Sequence, residues 1–181
     1  VSLLLKMYLR FPTRNDYADL KFITFRNFKK IKLPTKNYVV IKSKSPPLLS
    51  ISDYKTFDKY GTKTIRTDGE VARLLRDKYK EIGENYLFTY PKKMYQSVPF
   101  TRNYITQLFT KWSKVLLKKS IGTTLMYKIL IKEASKKYNH APDDDDYYTA
   151  DKYALLLKDF AKNRGHSKGI QKAVYSKDVS V

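Results

Sequence analysis

The chain contains no cysteine, which excludes disulfides and thiolate-held metal or iron–sulfur centres. Histidine is almost as scarce: only His140 and His166 occur, so a structural zinc site lacks ligands too. A cysteine-free chain suits an intracellular protein, although other compartments also permit one. No apolar run approaches the roughly 18 residues of a membrane-spanning helix, and no strongly one-sided basic helix suggests a segment lying in a bilayer surface. The opening Ser2-Leu3-Leu4-Leu5-Lys6-Met7-Tyr8 is short and carries a lysine, unlike a secretory signal. The first residue is Val1, not Met, which reads as an excised domain entered within a helix. Neither an internal repeat nor a low-complexity linker divides the 181 residues, so one domain is the economical expectation.

Acidic residues are also few. Asp and Glu number 17 against 37 Lys and Arg, a net charge of +20 spread along most of the chain. Such a balance selects a polyanionic partner, and nucleic acid fits it better than a membrane. The one acidic block, Asp143 to Asp146 after Pro142, lacks the alternation and the glycine of a calcium loop and reads as a solvated turn. Hydrophobic residues make up 42% of the chain, enough to fill a core.

Periodicity predicts mostly helix. Residues 2 to 10 carry leucines and aromatics at close spacing and end at Phe11-Pro12, because proline disfavours helical geometry in the residue before it. From Asn37 the period changes to two: Val39 and Ile41 alternate, Pro46-Pro47 turns the chain, and Leu49 and Ile51 alternate again, which predicts a strand pair. Val71, Leu74, Leu75, Tyr79 and Ile82 form one helical stripe, with Arg73, Arg76, Lys78 and Lys80 off it. Tyr86 to Tyr90 is a short apolar stretch closed by Pro91. Ile105, Leu108, Phe109, Trp112, Val115 and Leu116 are expected to share a buried helix face. A Thr-rich start opens a further helix at 121–133, and Tyr153, Leu156, Leu157 and Phe160 align on another at 149–163. The expected fold is α+β, mostly α: a helical bundle with a small antiparallel β-sheet near residues 20–67.

The stretch Arg164-Gly165-His166-Ser167-Lys168-Gly169-Ile170-Gln171-Lys172-Ala173-Val174-Tyr175-Ser176-Lys177 sets a histidine and a tyrosine nine residues apart. Gly165 can stop one helix and Ser167 can cap the next. This spacing resembles the C-terminal signature of the tyrosine recombinases, the lambda-integrase-type DNA strand-transfer enzymes, and in particular those of large DNA viruses and mobile elements. Phe11-Pro12-Thr13-Arg14-Asn15-Asp16-Tyr17 looks like the motif whose arginine grips the scissile phosphate in that family. A plain turn arginine beside Asp16 or Asp19 is the structural alternative. Tyr54-Lys55-Thr56-Phe57-Asp58-Lys59-Tyr60-Gly61 resembles the family's hairpin, whose lysine can protonate the departing 5′ oxygen.

The resemblance implies a catalytic domain spanning 1–181, with the family's N-terminal DNA-clamping domain outside it. Arg14, Lys55, His166 and Tyr175 then carry the chemistry. Tyr175 attacks a phosphate of double-stranded DNA to give a 3′-phosphotyrosyl link. No cofactor, nucleotide or metal is needed, since the link conserves the bond energy. It further implies a homotetramer on paired sites and, for a viral protein, the host nucleus or a cytoplasmic viral factory.

One position departs from the family. Tyr127 stands where the second phosphate arginine is expected to face the cleft, and Thr124 stands in place of a histidine. Either that cation is missing, or Lys128 or Arg164 substitutes for it, with a lysine lacking the bidentate fork of arginine. Two other readings stay open: a DNA-binding relic of a recombinase that has lost its chemistry, and an unrelated basic RNA-binding or structural protein. The chain carries no RRM-like or KH-like motif.

Overall fold

Helix α1 (Ser2–Arg10) buries Leu4, Met7 and Tyr8, an i, i+3, i+4 set on one side of a helix. Pro12 follows its end, as the sequence requires. The computed structural model describes residues 2–91, 97–139 and 147–164, with side chains for all of these except 2, 136–139, 147–154 and 164. The fold is α+β. Among the described residues it has seven helices and one four-stranded sheet, and the chain divides into two compact units.

The first unit takes residues 1–8 and 15–107. Its sheet runs in the order β1 (Lys21–Thr24), β2 (Tyr38–Ile41), β3 (Leu48–Ile51) and β4 (Lys63–Arg66). The predicted strand pair is β2 and β3, antiparallel with Val39 opposite Leu49. The β3–β4 pair is also antiparallel, with Leu49 opposite Ile65. The wholly antiparallel expectation is corrected at β1, which pairs with β2 in parallel, Lys21 beside Tyr38 and Thr24 beside Ile41. The cause is the connection: parallel neighbours need a long crossover, and here it is α2 (Phe25–Phe28) followed by residues 29–37.

Phe22, Val39, Val40, Leu49, Ile51 and Ile65 lie buried in the sheet, and Val71, Ala72 and Leu75 are buried on α4 (Gly69–Ile82). The Tyr79 ring of α4 packs on Phe22 at 5.5 Å. Each such fully buried side chain contributes about 1.5–3 kcal/mol of apolar burial. Gly83 closes α4 at φ 63° while its N–H donates to the Tyr79 carbonyl at 2.8 Å, a left-handed cap that glycine adopts without a Cβ penalty. The apolar stretch at 86–90 protects the outer edge of β1. Phe22 N–H donates to the Asn85 carbonyl at 2.9 Å, and Leu87 N–H donates to the Leu20 carbonyl at 2.8 Å.

The second unit takes residues 9–14 and 108–181, with most of α5 (Arg102–Leu117), α6 (Thr123–Asn139) and α7 (Tyr147–Arg164). Tyr127 and Ile131 of α6 and Phe160 of α7 form a buried cluster, with Leu130, Leu156 and Leu157 packed against it. Ser113 Oγ accepts the Ile121 N–H at 2.7 Å, which joins the end of α5 to the start of α6. The expected apolar face of α5 holds only in part. Phe109 is buried and Trp112 half-buried, but Val115 and Leu116 are exposed, Leu116 at 76%.

Candidate functional site

Arg14 ends the second unit's first segment and is half-buried, with its carbonyl accepting the Thr13 hydroxyl at 2.8 Å. Lys55 lies in the first unit, in the connection from β3 to β4, exposed and with no ion pair among the described residues. That connection carries the short helix α3 (Phe57–Tyr60) and reverses the chain between two antiparallel strands. Lys128 is half-buried on α6, and Arg164 is the last residue of α7. His166, Tyr175 and the acidic block at Asp143–Asp146 lie outside the described residues.

The residues that follow Arg14 in the chain and those that flank Lys55 are joined within the first unit by three separate links. The first runs through Asn37, which is fully buried. Its Nδ2 donates to Asp19 Oδ1 at 2.9 Å, to the Asp16 carbonyl at 3.1 Å and to the Asp53 carbonyl at 3.2 Å. Its Oδ1 accepts the N–H groups of Ser52 and Asp53, both at 2.9 Å. One amide thereby fixes the turn at 16–19 against the chain that leaves β3.

The second link is Arg102, at the start of α5. Its guanidinium meets Asp53 Oδ1 at 3.0 Å and the Asp53 carbonyl at 2.6 Å. On the other side Asn15 Nδ2 donates to the Arg102 carbonyl at 2.8 Å and to Thr106 Oγ1 at 2.7 Å. Tyr8 completes this end by donating its hydroxyl to Asn15 Oδ1 at 3.1 Å.

The third link is a buried charge pair. Lys63 opens β4 with its Nζ 4.0 Å from Asp16 Oδ2, both side chains almost wholly buried. The same ammonium sits 3.5 Å from the centroid of the Tyr54 ring, a cation–π contact that strengthens where water is excluded. Tyr54 donates its hydroxyl to the Gly61 carbonyl at 2.5 Å, which pins the far end of the Lys55 connection. Burial, then the negative charge of Asp16, raises the Tyr54 pKa above its ordinary value. Gly61 holds φ 62° at that pin, a conformation glycine favours.

Sequence reasoning named Arg14 and Lys55 but missed Asn37, Lys63 and Arg102, which within the first unit hold residues 15–19 against residues 52–54. Of the three, Asn37 left a trace: it stands where the period changes to that of a strand, a place where a side-chain amide can substitute for backbone partners. Asp16, one of the two acids beside Arg14 in the sequence, lies against Lys63, and Asp19, the other, accepts from Asn37. Tyr127 differs from its expected placement at a phosphate. Its ring is buried between α6 and α7, 6.4 Å from that of Phe160, and its hydroxyl donates to the Phe160 carbonyl at 3.1 Å.

Among the described residues no group of three or more His, Asp or Glu could hold a metal ion, and no helix is long and apolar enough to cross a membrane. No family model, curated protein or solved structure matches the chain.

Proposed function

We propose that the chain is the catalytic domain of a DNA strand-transfer enzyme of the tyrosine recombinase type. The observation that carries this reading is the triple link from Asn15–Asp19 to Ser52–Tyr54. It joins the chain neighbours of Arg14 to those of Lys55, the two motifs that stand 41 residues apart in the sequence (55 − 14). A cation such as Lys55 that must meet a phosphate in a fixed geometry needs rigid neighbours, since small displacements weaken its hold on the transition state.

In this mechanism the Tyr175 hydroxyl gives up its proton to solvent as its oxygen attacks the phosphorus, the P–O5′ bond breaks, and the 5′ oxygen leaves with a proton from Lys55. The products are a 3′-phosphotyrosyl ester and a free 5′ hydroxyl. Arg14 and His166 neutralise the charge that builds on the non-bridging oxygens. Attack by a second 5′ hydroxyl reverses the step on another strand, on paired sites within a homotetramer.

A second reading is a DNA-binding relic, favoured by Tyr127, a neutral residue in the core where the family's second arginine is expected. A duplex nicked beside the attack position separates the two, because loss of a short fragment traps the covalent adduct. The enzyme reading expects an adduct with the parent chain and none with Tyr175→Phe. A folded parent that binds duplex DNA and forms no adduct leaves the relic.

A further inference from the structure

We infer that the segment from Arg26 to Lys44 is a docking surface for the phosphate backbone of duplex DNA. The inference rests on the reading of DNA as the partner, not on strand-transfer chemistry. Between Asp19 and Asp53 the chain contains no acidic residue, while Lys21, Arg26, Lys29, Lys30, Lys32, Lys36, Lys42 and Lys44 all fall there. In a protein with 17 carboxylates, so long an acid-free interval that also carries eight cations concentrates positive potential on one part of the surface.

The fold gathers these charges. Because β1 and β2 run in parallel with Thr24 beside Ile41, the start of α2 and the residue after β2 emerge at the same end of the sheet. Phe25 and Lys42 meet there: Lys42 Nζ stands 4.9 Å and Lys29 Nζ 4.7 Å from the centroid of the Phe25 ring, itself 37% exposed. Arg26, Lys29, Lys30, Lys32, Lys36 and Lys44 are exposed, and none of the seven cations from Arg26 to Lys44 forms an ion pair among the described residues.

The carboxylate that approaches α2 is Glu84, and it is already engaged. Its Oε1 accepts the Thr24 N–H at 2.8 Å and the Asn27 amide at 3.0 Å. It holds the short helix in place and leaves the lysines to solvent. The contrast is α4, where three of the four basic residues are neutralised locally: Arg73 pairs with Asp77 at 3.4 Å, Lys78 with Glu81 at 2.6 Å and Lys80 with Asp77 at 3.5 Å, while Arg76 donates to the Ser45 carbonyl at 2.6 Å.

Flexible lysines of this kind suit sequence-independent contact with phosphates spaced along a duplex. Single strands are gripped by several exposed aromatics on which bases stack, and Phe25 is the one exposed ring here. An anionic bilayer would call for a continuous apolar face beneath the charges, where the segment offers Phe25 and Leu33 alone as large exposed hydrophobics.

The test compares the full chain with the triple variant Lys29→Gln, Lys30→Gln, Lys32→Gln and with the control triple Arg73→Gln, Lys78→Gln, Lys80→Gln. Anisotropy of a labelled duplex is read from low to moderate salt, with unfolding midpoints measured in parallel. The first triple should weaken binding at least about tenfold and reduce the salt slope by about 2 to 3, since each phosphate no longer neutralised lowers it by roughly 0.9. The control should move the slope by less than half as much. An unchanged slope, or equal effects of the two triples, overturns the surface as a distinct site. So does tighter binding of the parent to a single strand or to phosphatidylserine vesicles. If the parent forms no covalent adduct yet the first triple still lowers the slope, the chemistry fails and the surface stands.

Discussion

The Asn37 side chain holds both backbone groups of Asp53: its Oδ1 accepts the Asp53 N–H at 2.9 Å and its Nδ2 donates to the Asp53 carbonyl at 3.2 Å. The amide thus acts as a strand partner for a residue that has already left the sheet. Backbone groups without partners are costly where water is excluded, so this pairing satisfies the chain as it turns away from β3 towards the exposed Lys55.

Asn37→Ala should therefore destabilise the protein by at least about 3 kcal/mol, since several buried groups lose partners at about 1–3 kcal/mol each. Asn37→Asp keeps an acceptor but loses the donors and sets a second carboxylate against Asp19, so it should also be destabilising. Urea unfolding with the slope held common to all variants measures both. A loss under about 1 kcal/mol for Asn37→Ala would show that the network is incidental.

The Asp16–Lys63 pair gives a sharper test because both side chains are buried. Lys63→Met removes a cation from beside a buried carboxylate and should cost about 3–5 kcal/mol, with Asp16→Asn costly for the converse reason. The double variant should recover much of the loss, since the remaining groups are no longer charged. A double-mutant cycle with additive losses would mean that the two charges do not act on each other.

Acid should loosen α2 through Glu84. The Thr24 N–H, then Asn27, hold its pKa below the ordinary carboxylate value, against the opposing effect of burial. With the folded pKa depressed, the stabilisation is present above the unfolded value of about 4.3 and is lost as pH falls through the folded value. Glu84→Gln should thus flatten the decline of the unfolding midpoint below about pH 4.5. The group is largely exposed, so the effect is small at high salt. An equal acid slope in parent and variant counts against this role.

How much of this was legible in the sequence follows from the range of the interactions. Strands β2 and β3 and helices α1 and α4 were readable because their periods are local and Pro12 marks a boundary. The parallel placement of β1 depends on a crossover whose residues carry no strong signal, and periodicity cannot distinguish it from a meander. The exposed end of α5 was misread because a helical stripe indicates which residues share a face but not whether anything covers it. Arg14 and Lys55 stood out through motif spacing. Asn37, Lys63 and Arg102 act across 16, 47 and 49 residues of sequence, and single-chain reasoning has no means to pair them.

Tyr127 brings the fold and the proposed chemistry into direct conflict. From sequence alone, Tyr127→Arg is the change that should restore a second phosphate cation. In the folded chain that position is 1% exposed, among Ile131, Phe160 and Leu130, with its hydroxyl on the Phe160 carbonyl. Tyr127→Phe should cost about 1 kcal/mol, the worth of one buried hydrogen bond. Tyr127→Arg must place a guanidinium in an apolar cluster and should cost several times more, so α6 and α7 would part before the arginine helped a phosphate. The expected result is a lowered unfolding midpoint and no gain in covalent adduct at a temperature where the variant remains folded. Lys128, half-buried on the same helix, is then the cation to test: Lys128→Ala should leave the fold intact and reduce adduct formation at least about tenfold, as loss of one charge-stabilising donor does. A Tyr127→Arg variant as stable as the parent, with faster adduct formation, would reverse this assignment and return position 127 to the phosphate.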